Sequence, residues 1–255
     1  MTNSEILRIA MRQSAIDSGC LPEDFEGDKH KIVLSRKDGR ARKYLDLPFL
    51  CDFTSYGNCV VASVSEELRE TAEEFLSKYP AEHCFETPNL VVLQEKLQKF
   101  DMNVCFMAEY FLPDTAALSP LSCGYEIRLL RPADFAGLYL PQWSNALCEK
   151  RKQLDVLAAA AFDGGEIVGL AGCSADCEEM RQIGVDVLPA YRRKGVASAL
   201  TSLLAREILR EGKVPFYCCA WSNVRSARTA IRSGFRPAWV QLTVKKNAFI
   251  AELNK

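Results

Sequence analysis

Apolar positions recur along this chain with two periods, one near 3.6 residues and one of two, and their succession lays out a mixed set of helices and strands. From Ser4 to about Ser18, Glu5, Arg8 and Arg12 interrupt apolar residues at helical spacing, so the chain is expected to open with a helix. Short apolar runs follow at 31–35, 42–47, 50–54 and 59–63. Asp38-Gly39 lies between the first pair and Tyr56-Gly57-Asn58 between the second, which predicts turns between paired strands. Ser65 ahead of Glu66, Glu67 and Leu68 has the chemistry of a helix cap, and a helix is expected from there to about Tyr79, where Pro80 stops it. Thr87-Pro88 repeats the start signal, Leu90, Leu93 and Leu97 share one face of the next helix, and a strand is expected at 103–111.

After the Pro113-Asp114 and Ser119-Pro120 turns the pattern starts afresh. A strand at 125–130 precedes helices expected near 135–140 and 147–154. Two apolar runs, 156–162 and 166–173, flank Asp163-Gly164-Gly165, the turn chemistry of an antiparallel hairpin. A strand at 180–187 places Ile183, Val185 and Val187 on one face. From Gly195 onward Val196, Ala199, Leu200, Leu203, Leu204 and Ile208 form a continuous helical stripe, with Gly212 where a helix end favours glycine. A strand at 214–220, a helix at 224–233 and a strand at 241–244 follow. The fold class expected is α/β of the α+β type, a mixed and mostly antiparallel sheet flanked by helices. It occupies a domain at 123–255, after a smaller mixed α/β domain at 1–120.

Composition narrows the function classes. With 32 cationic and 33 anionic residues the formal charge is -1, so no overall field draws in a nucleic-acid backbone or an anionic membrane surface, and any anion site must be local. The longest apolar stretch, 156–162, falls far short of the roughly 20 residues of a membrane helix. The first residues lack the features of a signal peptide, which predicts a cytoplasmic protein. The eleven cysteines contain no CxxC pair, and of the two histidines, His30 and His83, only His83 adjoins a cysteine, Cys84. Reduced thiols and no metal site are expected. No feature specifies an oligomeric state; a homodimer is compatible with the sequence.

The strongest chemical signal is Val185-Asp186-Val187-Leu188-Pro189-Ala190-Tyr191-Arg192-Arg193-Lys194-Gly195-Val196-Ala197-Ser198, a strand that runs through a basic turn into a helix. The first amides of a helix have no intrahelical acceptor, and the helix dipole adds about half a positive charge there, so the start of this helix can bind a pyrophosphate by main chain alone. Gly195 and Ala197 keep the approach open, and Arg192, Arg193 and Lys194 add cations that favour a polyanion such as coenzyme A. An ordinary strand-to-helix turn with solvated charges has the same R-x-x-G-x-A spacing. Arg225, Arg228 and Arg232 share a second helix face, either as a solvated stripe or with one of them, Arg225 or Arg228, on a cofactor phosphate.

The order hairpin, strand, basic turn, helix, strand, helix over about 125–244 resembles the GNAT superfamily of acyl-CoA-dependent N-acetyltransferases. Arg192-x-x-Gly195-x-Ala197 is similar to that family's pyrophosphate turn. Trp221-Ser222-Asn223-Val224-Arg225-Ser226, followed by Ser233-Gly234-Phe235, is similar to its second signature. The resemblance implies acetyl-CoA as cosubstrate and a pantetheine arm paired along the main chain of Val185, Asp186 and Val187, where this strand and 214–220 splay apart. It also implies contacts from Asn223 and Ser226, although both residues can equally cap the following helix.

Transfer to an amine further requires an oxyanion donor, for which backbone amides near Val185 are placed, and a base, for which Glu178 and Glu179 are the candidates. Many family members carry a tyrosine seven residues after the asparagine; here that residue is Ala230. Tyr217, Cys219 and Ser222 are nearby substitutes for the proton donor. The function expected is N-acetylation of a small-molecule amine, with the N-terminal domain shaping the acceptor site. The alternatives are a non-catalytic acyl-CoA sensor and a protein or peptide N-acetyltransferase.

Overall fold

In a computed structural model describing residues 1–255, α1 (Asn3–Ser18) is followed by β1 (Lys31–Leu34), β2 (Cys51–Ser55) and β3 (Val61–Val64). Next come α2 (Arg69–Leu76), α3 (Thr87–Leu97), β4 (Met102–Pro113), β5 (Glu126–Leu130) and the single turn α4 (Pro132–Phe135). β6 (Asp155–Asp163), β7 (Glu166–Ser174) and β8 (Met180–Val187) lead into α5 (Val196–Arg210). The chain then passes through β9 (Val214–Ala220), α6 (Val224–Arg232), β10 (Phe235–Lys246) and α7 (Asn247–Leu253), the last outside the expected pattern.

Two units interleave in sequence: a larger one of Met1–Ala10 and Phe111–Pro237, and a smaller one of Met11–Tyr110 and Ala238–Lys255. This differs from the linear division at 120–123. The reason is register: β10 pairs antiparallel with β2 from Val240↔Ser55 to Val244↔Cys51, so the last strand completes a sheet begun near the N-terminus.

In the smaller unit β3 lies between β1, its parallel partner, and β2, its antiparallel one; the β2–β3 hairpin around Tyr56-Gly57-Asn58 is as expected. The strand expected at 42–47 is absent. Its first residue, Arg42, is instead buried in an ion pair with Asp17 at 2.8 Å and lies over the Trp239 ring, and the Leu45 N–H turns back to the Arg42 carbonyl. β1 therefore takes β3 as its partner. The helix expected from Ser65 starts as a 3-10 turn at Glu66–Leu68, and the Ser65 side chain caps nothing.

One face of this sheet sends Cys51, Phe53, Ala62, Val64, Leu242 and Val244 into an apolar core with α2 and α3. The alternate positions are polar yet also covered: Asp52, Thr54, Ser63 and Gln241 are buried. They satisfy one another and the end of α1. Gln241 Nε2 donates to both Asp52 oxygens (3.0 and 2.9 Å), Thr243 Oγ1 donates to the second of them (2.6 Å), and Ser63 Oγ donates to the Ser18 carbonyl (2.7 Å). Burial nevertheless pushes the Asp52 carboxyl up to about 6.

The larger unit holds the strand order β5-β6-β7-β8-β9, antiparallel as far as β8 and parallel between β8 and β9. α5 packs Val196, Leu200, Leu204 and Ile208 onto one face with Leu157, Ala171 and Ile183. Phe135, Trp143, Ala146 and Leu147 cover Ala158, Ala160 and Leu170 on the other. The helices expected at 135–140 and 147–154 are reduced to α4 and to 3-10 turns at Pro141–Trp143 and Glu149–Leu154. Strand carboxylates hold this segment in place of helical bonds: Asp155 accepts from the Cys148 N–H (2.9 Å) and from Tyr139 Oη (3.2 Å).

Candidate functional site

The site begins where two strands part. The parallel ladder of β8 and β9 runs from Met180↔Val214 to Ile183↔Tyr217 and stops, although β8 continues to Val187 and β9 to Ala220. From Gly184 onward β8 is paired only on its β7 side, so every second main-chain donor or acceptor of this edge is turned toward the opening.

Past the opening, the chain makes a 3-10 turn at Pro189–Tyr191 and enters α5 through two left-handed residues, Arg193 (φ 63°) and Gly195 (φ 80°). A side chain at 195 would meet no atom closer than 3.9 Å, so it is the backbone angle, rather than crowding, that selects glycine there. The first intrahelical bond is Ala199 N–H to the Gly195 carbonyl. The amides of Val196, Ala197 and Ser198 consequently face outward from the helix start.

Most of the residues singled out in the sequence come together here. Val185, Asp186, Val187, Arg192, Arg193, Gly195, Val196, Ala197 and Ser198 line one cleft of about 880 Å³, with Asn223 and Ser226 on its far wall. Asn223 caps α6, its side chain accepting from the Ser226 N–H at 3.2 Å. Five arginines share the lining: 192, 193, 225, 228 and 232. Arg192 Nε donates to the Val187 carbonyl (3.0 Å), but none of the five is paired with a carboxylate. Asp186 is the one acid in the wall, so the cleft is strongly cationic in a chain of net charge -1.

Four expected site residues lie elsewhere. Lys194 turns away from the cleft, its ammonium donating to Tyr125 Oη (3.1 Å) and lying 5.0 Å over the Tyr191 ring. Glu178 and Glu179 are exposed and precede β8 at its Met180 end. Val185 lies six residue steps along the strand from Glu179, roughly 20 Å at the usual rise, so neither acid is near the opening. Ser222 is exposed in the connection between β9 and α6 and forms no part of the wall.

Asp186 has a role its position in the basic motif did not suggest. Its carboxylate accepts from the Asn145 N–H (2.8 Å), Asn145 Nδ2 (2.7 Å) and the Ala146 N–H (3.0 Å). These bonds pin a loop flat onto β7 and β8. A Cβ at Gly184 would lie 1.8 Å from the Asn145 carbonyl oxygen, and one at Gly172 would lie 2.1 Å from that of Ala146. The sequence did carry a signal for this loop, because glycines at 172 and 184 stand inside strand patterns where close approach of another backbone is the usual cause. Tyr217, one of the three substitutes for the proton donor, does line the wall, buried, with its hydroxyl 2.8 Å from Ser226 Oγ.

Residues 125–235 match the sequence model of the family described as "Acetyltransferase (GNAT) family". No curated protein matches the chain. Among solved structures, the chain is similar to a GCN5-related N-acetyltransferase-like protein from Streptococcus suis (19% identity, 61% of this chain and 67% of that one, TM-score 0.45). It is also similar to an acetyltransferase of the GNAT family from Colwellia psychrerythraea (15%, 62% and 63%, TM-score 0.43). A third is yncA from Salmonella typhimurium, whose structure contains its cofactor acetyl-CoA (20%, 49% and 94%, TM-score 0.37). The chain thus spans about two thirds or less of the length of the first two of these relatives. With the parted strands, the basic turn into α5 and the family match all falling in one segment, the C-terminal half of this chain carries the GNAT superfamily acetyltransferase fold.

Proposed function

We propose that this protein transfers an acetyl group from acetyl-CoA to the amine of a small molecule. The observation that carries this reading is one cleft that joins an unpaired strand edge, at 184–187, to the outward-facing start of α5 and to five arginines free of carboxylates, two ahead of α5 and three on α6. A diphosphate fits the amides of Val196, Ala197 and Ser198 beside Arg192 and Arg193. An amide-bearing arm fits the β8 edge, where it would complete hydrogen bonds that β9 leaves open. Coenzyme A has both parts in that order, and its thioester supplies an activated acyl group with a good leaving group.

In this reading the chain's own groups bind and orient. The open edge of β8 sets the direction of the arm. The loop pinned over Gly184 covers one side of the opening, which favours a small acceptor over a peptide segment. No wall carboxylate is available to take a proton from the acceptor, since Asp186 is committed to the loop. The acceptor therefore enters as the neutral amine or gives its proton to solvent.

Calorimetry with acetyl-CoA at modest ionic strength, followed by free-thiol release across a panel of amines, tests the proposal. Binding plus amine-dependent release is expected. Binding without release from any amine would favour a sensor of acyl-CoA, release only with peptides would move the acceptor class, and no heat with acylated or free coenzyme would end the coenzyme reading.

A further inference from the structure

Tyr217 is the last residue of β9 to pair with β8, so its side chain stands at the point where the strands part. Only 5% of it is exposed, and its ring packs edge-on to Phe111 at 6.5 Å and tilted on Phe235 at 6.4 Å. Ala230, fully buried and one turn beyond Ser226 on α6, belongs to the same apolar cluster.

The hydroxyl of Tyr217 shares one hydrogen bond with Ser226 Oγ, at 2.8 Å. Two hydroxyls joined by one hydrogen bond have one O–H left over, and both residues line the cleft. The other wall hydroxyls are placed differently. Tyr191 Oη donates to Asp163 (3.0 Å), Thr229 Oγ1 donates to the Arg225 carbonyl (3.1 Å), and Ser198 sits in the first turn of α5 at the anion end.

We propose that Tyr217 is the hydrogen-bond donor to the carrier's sulfur as the acyl group leaves, and that it keeps its own proton throughout; the proposal rests on the acyl-CoA reading of the cleft. The acceptor nitrogen forms the new bond to the acyl carbon, and the C–S bond breaks with its electron pair passing to sulfur. The nitrogen's surplus proton goes to solvent. The Tyr217 O–H, supported by Ser226, steadies the thiolate without being transferred. Burial is the reason: it pushes the phenol up to about 12, whereas a thiol titrates near 8.5, so full transfer would run uphill by about 3.5 units while donation of a hydrogen bond remains favourable.

The test uses the full chain with bound coenzyme A. Thiolate absorbance is followed against pH as a difference from the complex with desulfo-coenzyme A, so that the protein's own cysteines cancel. The bound thiol should titrate below the free coenzyme in the wild-type protein. Tyr217→Phe, which keeps the ring between Phe111 and Phe235, should raise it by about 1–2 units, the equivalent of one hydrogen bond to a charged group, and Ser226→Ala should raise it less. Desulfo-coenzyme A should bind wild type and Tyr217→Phe equally. Identical thiol titrations in wild type and Tyr217→Phe, both with coenzyme bound, would overturn the proposal. So would a wild-type bound thiol titrating no lower than the free one, a result independent of how the variant folds. Absence of any heat with coenzyme A would overturn the reading of the cleft itself, and this proposal with it.

Discussion

Replacing Asp52 by Asn should change how stability depends on pH. Asp52 is 1% exposed, and its hydrogen bonds come from neutral groups, Gln241, Thr243 and Thr54. Its carboxyl moves from an ordinary 3.8 up to about 6, first because of burial and against the effect of those hydrogen bonds, with the Asp17 charge adding to the rise. The difference of about 2.2 units corresponds, at about 1.36 kcal/mol per unit, to roughly 3 kcal/mol.

A raised carboxyl binds a proton more tightly folded than unfolded. Above pH 6 the folded protein must hold a charge that the unfolded chain gives to water, so wild type carries the full penalty there. Between 6 and 3.8 the penalty is relieved, because the folded state is protonated while the unfolded one is still ionised. Asp52→Asn has no such titration, and its amide can accept from Gln241 and donate to a reoriented Thr243. Urea unfolding of both proteins between about pH 7.5 and pH 4 should show wild type gaining roughly 3 kcal/mol on the variant as pH falls. Asp155, also pushed up to about 6 by burial, contributes with the same sign in both proteins and cancels in the difference. Parallel stability curves for the two proteins would refute the assignment of a buried carboxyl at 52 that binds its proton more tightly folded than unfolded.

Gly184→Ala forces a methyl group within 1.8 Å of the Asn145 carbonyl oxygen and should cost about 3 kcal/mol, the upper range for over-packing, seen as a lower urea midpoint. Arg42→Ala leaves the Asp17 carboxylate buried without its cation and should destabilise by about 3–5 kcal/mol in the same assay. Arg228→Ala should weaken coenzyme A binding by about 10-fold at low salt and by less at high salt, measured by calorimetry at two ionic strengths; a loss independent of salt would argue against a phosphate partner.

Elements whose signals are local and repeated were legible in the residues alone. The β6–β7 hairpin follows from two apolar runs and a Gly164-Gly165 turn, both glycines having positive φ. α5 follows from its stripe of apolar residues between Gly195 and Gly212. The basic turn announced an anion site because uncapped amides and cations at a helix start are properties of neighbours in sequence. Segments 135–140 and 147–154 misled, since their periodicity is short and the carboxylate that ties Tyr139 and the Cys148 N–H, Asp155, lies beyond both.

Alternation of apolar and polar residues in β2 and β10 was equally visible, and by itself it describes a sheet with one wet face. Only the folded chain shows that α1 and the 42–47 segment close over that face, leaving Asp52 to be solvated by side-chain hydrogen bonds instead of water. Likewise, the sequence places Glu178, Glu179 and Val185 a few residues apart, but a strand separates them by its length while the parting of β8 and β9 brings Tyr217 and Ser226 together. Short-range patterns determine which elements form. Which side chains meet in a cleft depends on strand register and on where a ladder ends, and both are set by contacts between residues far apart in the chain.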